Sequence, residues 1–133
     1  MIGIMRPHGT VALTWRRNIL LNYTQGPFNV EGVKRSFDDI KQSVAEAGFD
    51  HWYRVDFLDE ETLGCPEVMK VIGDSYKWSS VENNCGGVLV CCSNQLQQNM
   101  MHRFISHTAL NIQVFSSSEA VFNYIENSNW SLT

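Results

Sequence analysis

Apolar and β-branched residues fill two short segments near the amino terminus, 10–15 and 19–23, and a polar stretch separates them. Segments of this composition are typical of β-strands, and a short polar break between two of them indicates a hairpin. Gly26 and Pro27 end the second segment. We therefore expect the chain to open with two antiparallel strands.

The clearest helical pattern lies in residues 30–47. Apolar residues recur there at spacings of three and four, which places them on one face of an α-helix; they are Val30, Val33, Phe37, Ile40, Val44 and Ala47. Asn29 is suited to cap the first turn, and Gly48 is suited to end the last one. The pattern predicts a helix with one buried face.

The remaining sequence alternates between predicted strands and helices. Strands are expected at 51–58, 88–92 and 112–115. Pro66 opens one helix, Ser93 or Asn94 caps the next, and Ser116 with Glu119 forms a capping box for the last. The element order is therefore β-β-α-β-α-β-α-β-α. Because the run at 88–92 is apolar throughout, we expect a central strand there.

This order predicts an α/β fold in which a mostly parallel sheet carries an antiparallel amino-terminal strand and about four helices. A chain of 133 residues has the size of one domain. We interpret 1–133 as a single domain, with tails at 1–8 and 127–133.

Charge and composition argue against some classes of partner and indicate a cellular compartment. The formal net charge is −4 and the ten basic residues are scattered, which argues against nucleic acid as a partner. No apolar run reaches the ~20 residues of a membrane span, and the amino terminus lacks the pattern of a signal peptide. We therefore expect a cytoplasmic protein. The four cysteines contain no C-x-x-C pair, so neither a disulfide framework nor a zinc site is indicated.

The carboxy-terminal half carries a family resemblance. It contains Gly-Gly-Val-Leu-Val-Cys at 86–91, Leu-Gln-Gln-Asn-Met at 96–100, Ile-Gln-Val-Phe at 112–115 and Ser-Glu-Ala-Val at 118–121. This succession of glycine-led buried strand, helix, short strand and final helix resembles SpoIIAA-like (STAS) domains, and in element order the resemblance covers about 10–126. It implies a STAS fold and a regulatory role, and the chain is similar to the branch grouped with SEC14-like lipid-binding folds.

The resemblance also indicates one position for a phosphorylation switch. In STAS domains of the anti-sigma antagonist type, an Asp-Ser/Thr pair at the start of the helix after the third strand holds the phosphorylated hydroxyl. The corresponding stretch here is Asp-Glu-Glu-Thr-Leu-Gly-Cys at 59–65, where Thr62 offers the hydroxyl without an adjacent Asp. The resemblance makes Thr62 the equivalent position, and we expect it to be solvent-accessible. Glu60 and Glu61 oppose a phosphate by their like charge.

The helix that Pro66 opens has apolar residues on two sides. Val68, Met69, Ile72 and Tyr76 form its core stripe, whereas Val71 and Trp78, with Ser75 between them, lie on the other side. The chain itself could cover this second side, through segment 79–85 or through Trp130. Alternatively, Val71, Ser75 and Trp78 form a partner surface, because tryptophan is enriched where interfaces concentrate their binding energy. The resemblance implies that protein partners dock near this helix.

The residues give little sign of catalysis. Asp56, Asp59, Glu60 and Glu61 crowd the end of a strand, where carboxylates can hold a divalent cation. Because neither a histidine nor a second acidic segment accompanies them, we interpret them as a solvated acidic turn and expect no metal. The four histidines are dispersed, and neither a G-x-S-x-G elbow nor a phosphate loop is present. We expect no enzyme and no cofactor.

Two functional hypotheses remain. The first is a non-enzymatic regulatory or scaffold domain that binds a protein partner or itself as a homodimer, through the face around Thr62 and the helix after it. The alternative is a carrier of a small apolar molecule or lipid, suggested by the flexible side chains of Met69, Met100 and Met101. A carrier requires a cavity of a few hundred Å³ between the sheet and the helices.

Overall fold

The strands form one five-stranded sheet whose spatial order is the order of the chain. In the computed structural model, which describes residues 6–62 and 65–130, these strands are β1 (Thr10–Arg16), β2 (Ile19–Gln25), β3 (Trp52–Phe57), β4 (Cys85–Cys91) and β5 (Ile112–Phe115). β1 and β2 pair in antiparallel, and every later neighbour pairs in parallel. The predicted mostly parallel sheet with an antiparallel first strand is confirmed.

In the described residues, four α-helices connect or follow the parallel strands: α1 (Val30–Ala47), α2 (Pro66–Lys77), α3 (Gln95–Ser106) and α4 (Ser118–Glu126). A π-helical turn, Trp78–Glu82, extends α2 towards β4. The element order agrees with the prediction. No helix within 6–62 and 65–130 is long and apolar enough to cross a membrane.

Two apolar layers lie on opposite faces of the sheet. On one face, α1, α2 and α3 pack over the strands through residues such as Ile40, Ile72 and Met101. On the other face, α4 packs with Val121 and Ile125 against Ile19, Leu21, Val55 and Leu89. Alternate residues of β2 and β3 therefore enter different layers, and the layer under α1, α2 and α3 holds the site described below.

The helix ends follow the capping residues of the sequence. The side chain of Asn29 accepts a 2.8 Å hydrogen bond from the backbone N–H of Gly32, and Gly48 ends α1 with a φ of 68°. Asn94 caps α3 in the same way. The α4 cap is Ser117, whose hydroxyl accepts from the backbone N–H of Ala120, so the prediction of Ser116 was wrong by one residue.

One further prediction needs correction. β4 is buried as expected, but it is the fourth strand, and the central strand is β3. The described parts of the two tails contact the rest of the chain. Asn29 bonds the backbone of Arg6 and His8, and Trp130 stacks on Tyr53 with ring centroids 4.1 Å apart.

Candidate functional site

An ion pair lies in the interior beneath α2. Arg54 and Asp56 stand two residues apart on β3, so both side chains point to the face that α1, α2 and α3 cover. The Arg54 guanidinium donates from Nε to Oδ1 of Asp56 at 2.9 Å and from Nη2 to Oδ2 at 3.0 Å. Arg54 is 2% exposed and Asp56 is 3% exposed. The pair is thus bidentate and shielded from water.

Helix α2 supplies the remaining acceptors for the guanidinium. Nη1 of Arg54 donates to Oγ of Ser75 at 2.6 Å and to Oγ of Ser79 at 3.0 Å. Ser75 and Ser79 are one helical turn apart, so both hydroxyls reach the same nitrogen. The charged head also lies 4.7 Å from the centre of the Tyr76 ring, a cation–π contact. Arg54 therefore ties the last turns of α2 to the sheet.

Two other donors complete the shell of the carboxylate. The amide Nδ2 of Asn22, on β2, donates to Oδ1 of Asp56 at 3.1 Å, and the Tyr76 hydroxyl donates to Oδ2 at 3.0 Å. Each oxygen of Asp56 thus accepts two hydrogen bonds. These four hydrogen bonds offset the cost of burying the carboxylate. Because they already occupy both of its oxygens, Asp56 is poorly placed to act as a general base.

The pKa shifts of Arg54 and Tyr76 are consistent with this network of hydrogen bonds. Although burial lowers the pKa of the Arg54 guanidinium, the attraction of the Asp56 carboxylate contributes to a net rise above its ordinary value. Burial raises the pKa of the Tyr76 hydroxyl well above its ordinary value, and the charge of Asp56 raises it further. Tyr76 therefore stays a neutral donor, and the cluster holds one cation against one anion.

A small cavity of about 40 Å³ adjoins the cluster between the sheet, α1 and α2. Oδ1 of Asn22 lines this region and has no hydrogen-bond partner among the described residues. A cavity of this size has room for about one water molecule, which could donate to that oxygen. It is far smaller than the ~300 Å³ or more of ordinary ligand sites, so the cavity gives no support to a lipid carrier.

Thr62 is not solvent-accessible, so the sequence prediction was wrong. Its side chain is 2% exposed, and its hydroxyl donates to Oδ1 of Asp59 at 2.5 Å. The hydroxyl of Thr24 on β2 lies 2.9 Å away. Asp59 also accepts from the backbone N–H of Gly26, which holds the turn against the end of β2. Because the hydroxyl is buried and hydrogen-bonded, a kinase cannot reach it, and we abandon the phosphorylation switch at Thr62.

The proposed surface of Val71, Ser75 and Trp78 is largely internal. Ser75 is 3% exposed and bonded to Arg54, so assigning it to a partner surface was wrong. Val71 and Trp78 are half-buried and pack against the main core. The Trp78 ring lies 5.7 Å from that of Phe37 on α1. The cover of this side is therefore α1, and neither segment 79–85 nor Trp130 is needed to explain it.

The acidic residues at the end of β3 and in the turn after it do not form one cluster. Asp56 is committed to Arg54, Asp59 to Thr62 and Gly26, and Glu60 and Glu61 are exposed. In 6–62 and 65–130, no three histidine, cysteine or acidic residues are placed to hold a metal ion.

A surface groove of about 850 Å³ separates the outer sides of α2 and α3. The two helices approach closely at Gly73, where a Cβ atom would lie 2.7 Å from the Phe104 ring. Half-buried apolar side chains of Met69, Met100 and Phe104 line the groove. Its exposed polar residues are Lys70, Asp74, Lys77, Arg103 and His107. No sequence pattern indicated this groove, because its two walls lie about 30 residues apart in the chain.

The charges of the groove are predominantly positive. Lys70 donates to Asp74 at 3.2 Å. Lys77 and Arg103 stand on opposite walls, and neither forms an ion pair with another described residue. An apolar floor between unpaired cations is the type of surface that a partner with apolar and acidic groups complements.

The chain matches no protein-family model and no curated protein sequence. The resemblance to SpoIIAA-like domains therefore stays a prediction.

Proposed function

We propose that this chain is a non-enzymatic binding domain, with a regulatory or scaffold role like that of STAS domains, and that its protein partner docks on α2 and α3. The observation that carries the proposal is the groove between these helices, with Met69, Met100 and Phe104 between basic residues. Grooves that combine apolar and charged side chains are common docking sites on proteins.

The buried ion pair beneath α2 also supports this proposal, because it fixes α2 to the sheet. Arg54 holds Ser75 and Ser79, and Asp56 accepts from Tyr76, so three residues of α2 and its π-helical turn are fixed to β3. A helix fixed in this way presents its outer side without the entropic cost of ordering it on binding. We interpret the cluster as a structural support for the docking surface.

Photo-crosslinking in cells of the source organism tests the proposal. A benzophenone amino acid replaces Lys77 in the groove, and in a control chain it replaces Lys34 on the exposed side of α1. We expect a discrete adduct with one protein from position 77 and none from position 34. A second copy of the chain as the captured protein would indicate a homodimer. No adduct, or the same adducts from both positions, would contradict the proposal.

A further inference from the structure

The charge of the α2–α3 groove is opposite to that of the whole chain. Lys70, Lys77 and Arg103 contribute three positive charges and Asp74 contributes one negative charge, so the groove carries a formal +2, whereas the chain carries −4. Because Asp74 binds Lys70, the uncompensated charges are Lys77 on α2 and Arg103 on α3. An occupant that lies along the groove passes between these two cations and gains from negative charge on both of its edges.

The walls of the groove favour a helical occupant. Both walls are α-helices, whose backbone N–H and C=O groups bond within each helix. An extended strand would therefore find no backbone partners there, whereas a helix satisfies its own backbone and presents a stripe of side chains. From Met69 to Lys77 the wall of α2 rises about 12 Å, which matches about two turns of a helix.

The floor of the groove is suited to an apolar stripe. Met69 and Met100 have flexible, polarizable side chains that adapt to a partner's shape, and Phe104 adds a rigid aromatic surface. Two unpaired cations are fewer than the four to eight clustered basic residues that are typical of sites for anionic lipid surfaces. They are also too few for a nucleic-acid backbone. An apolar floor beside basic residues is therefore complementary to an amphipathic segment that carries acidic residues.

We infer that the groove binds an acidic amphipathic α-helix of a protein partner. The apolar stripe of that helix lies on Met69, Met100 and Phe104, and its Asp or Glu residues face Lys77 and Arg103. This inference rests on the proposed function and adds the partner's chemistry to it.

Selection from a displayed library of random peptides of about 16 residues, long enough for a helix, tests the inference. We expect wild-type protein to enrich peptides with apolar residues at helical spacing and Asp or Glu beside them. The variant Lys77→Glu/Arg103→Glu should bind them at least about ten-fold more weakly, and exchanging the peptide's acidic residues for Lys should restore binding to that variant. Higher salt should weaken wild-type binding.

Two controls separate the role of the groove from general effects. Lys34→Glu/Arg16→Glu makes the same change in net charge on exposed residues of α1 and β1, and it should leave peptide binding unchanged. Because Glu in the last turn of a helix opposes its dipole, Lys77→Gln/Arg103→Gln serves as a milder second variant, which should also weaken binding.

The outcomes distinguish this inference from the proposed function. The inference of an acidic helix would be overturned by selected peptides that are basic, uncharged or not helical. Binding that is insensitive to both groove variants would overturn it as well. If position 77 nevertheless crosslinks a protein in cells, the proposed function stands, but its partner is not an acidic helix. An absence of both enriched peptides and crosslinks would overturn both. Binding of the protein to vesicles of anionic lipid, with no peptide enriched, would also count against the inference.

Discussion

At the scale of single residues, Arg54 and Asp56 form a buried ion pair that links β3 to α2. On β3 they alternate with Tyr53, Val55 and Phe57, and alternation usually separates a solvated face from a buried one. Here both faces are covered by helices, so the polar residues are internal and must pair with each other. The sequence did contain one sign that Arg54 and Asp56 are buried. The hydroxyls of Ser75, Tyr76 and Ser79 lie on one side of α2 and its π-helical turn, where they can bond to these charges.

The buried pair should be costly to break. We expect Arg54→Met to lower the free energy of unfolding by about 3–5 kcal/mol, because it leaves Asp56 charged and without its cation in the interior. Urea unfolding measures the change. The matched control is Lys70→Met, which breaks the exposed Lys70–Asp74 pair and should cost less than about 1 kcal/mol. Equal effects of the two substitutions would show that Arg54 is not buried as described.

Alkaline pH should destabilise the fold through neutral buried groups, among them Cys85 and Tyr76. Burial raises the pKa of the Cys85 thiol from 9.0 to about 11, and it raises the pKa of Tyr76 well above 10.0. As pH rises past 9 for Cys85 and past 10 for Tyr76, the unfolded chain releases these protons before the folded chain does. Stability is therefore complete below about pH 9 and falls above it, by up to about 1.4 kcal/mol per pH unit for each group.

Urea unfolding at about pH 8 and about pH 10.5 checks this dependence. We expect the loss of stability between the two values to be smaller in Cys85→Ala, and smaller also in Tyr76→Phe, than in wild type. An identical loss in all three proteins would mean that these groups titrate alike in the folded and unfolded states.

At the scale of elements, the sequence was informative wherever local chemistry decides the outcome. The bounds of α1, its Asn29 cap and its Gly48 end follow from periodicity and from capping within a single turn. The environment of α2 could not be predicted in the same way. Trp78, which follows α2 directly, contacts Phe37 of α1, and Gly73 faces Phe104 of α3, so α2 is covered on both sides by helices that are distant in sequence. Its second apolar side is explained by this packing and gives no evidence of an interface.

The contact between Phe37 and Trp78 should appear as coupling between α1 and α2. Because both rings are half-buried, we expect each alanine substitution to cost about 2 kcal/mol, below the 3–5 kcal/mol of a fully buried ring. A double-mutant cycle should give a coupling of about 0.5–1.5 kcal/mol. Val81→Ala, at a neighbouring residue that is 71% exposed, is the control and should change little.

Sedimentation distinguishes this packing from a subunit contact at Trp78. We expect Trp78→Ala to sediment like wild type across a wide range of concentration, because the cover comes from the same chain. A wild-type assembly that dissociates in the variant would show that Trp78 belongs to a subunit interface.

Asn29 should contribute more than an ordinary helix cap. Its side chain accepts from the backbone N–H groups of Gly32 and His8 and donates to the carbonyl of Arg6, so it joins the amino-terminal segment to α1. We expect Asn29→Ala to cost about 2 kcal/mol, and Asn94→Ala, at a cap that bonds only within α3, to cost about 1 kcal/mol. Thermal or urea unfolding measures both. Equal losses would mean that the segment at 6–8 contributes nothing.

At the scale of the whole molecule, the α/β class and the order of elements followed from the sequence, but the binding surface did not. Strand and helix patterns are local, whereas the groove depends on how α2 and α3 are placed side by side over the sheet. The even scatter of basic residues along the chain also concealed their concentration beside this groove. Thr62 shows the opposite case, in which a position chosen by resemblance is buried by its own turn.

Amide hydrogen exchange of the purified chain, alone and with the protein captured at position 77, tests whether the partner docks on α2 and α3. We expect slower exchange in the exposed turns of α2 and α3 around Lys70, Lys77 and Arg103, and no change in β1 or α4. Protection confined to β1 or α4, with α2 and α3 unchanged, would contradict a docking surface between these two helices.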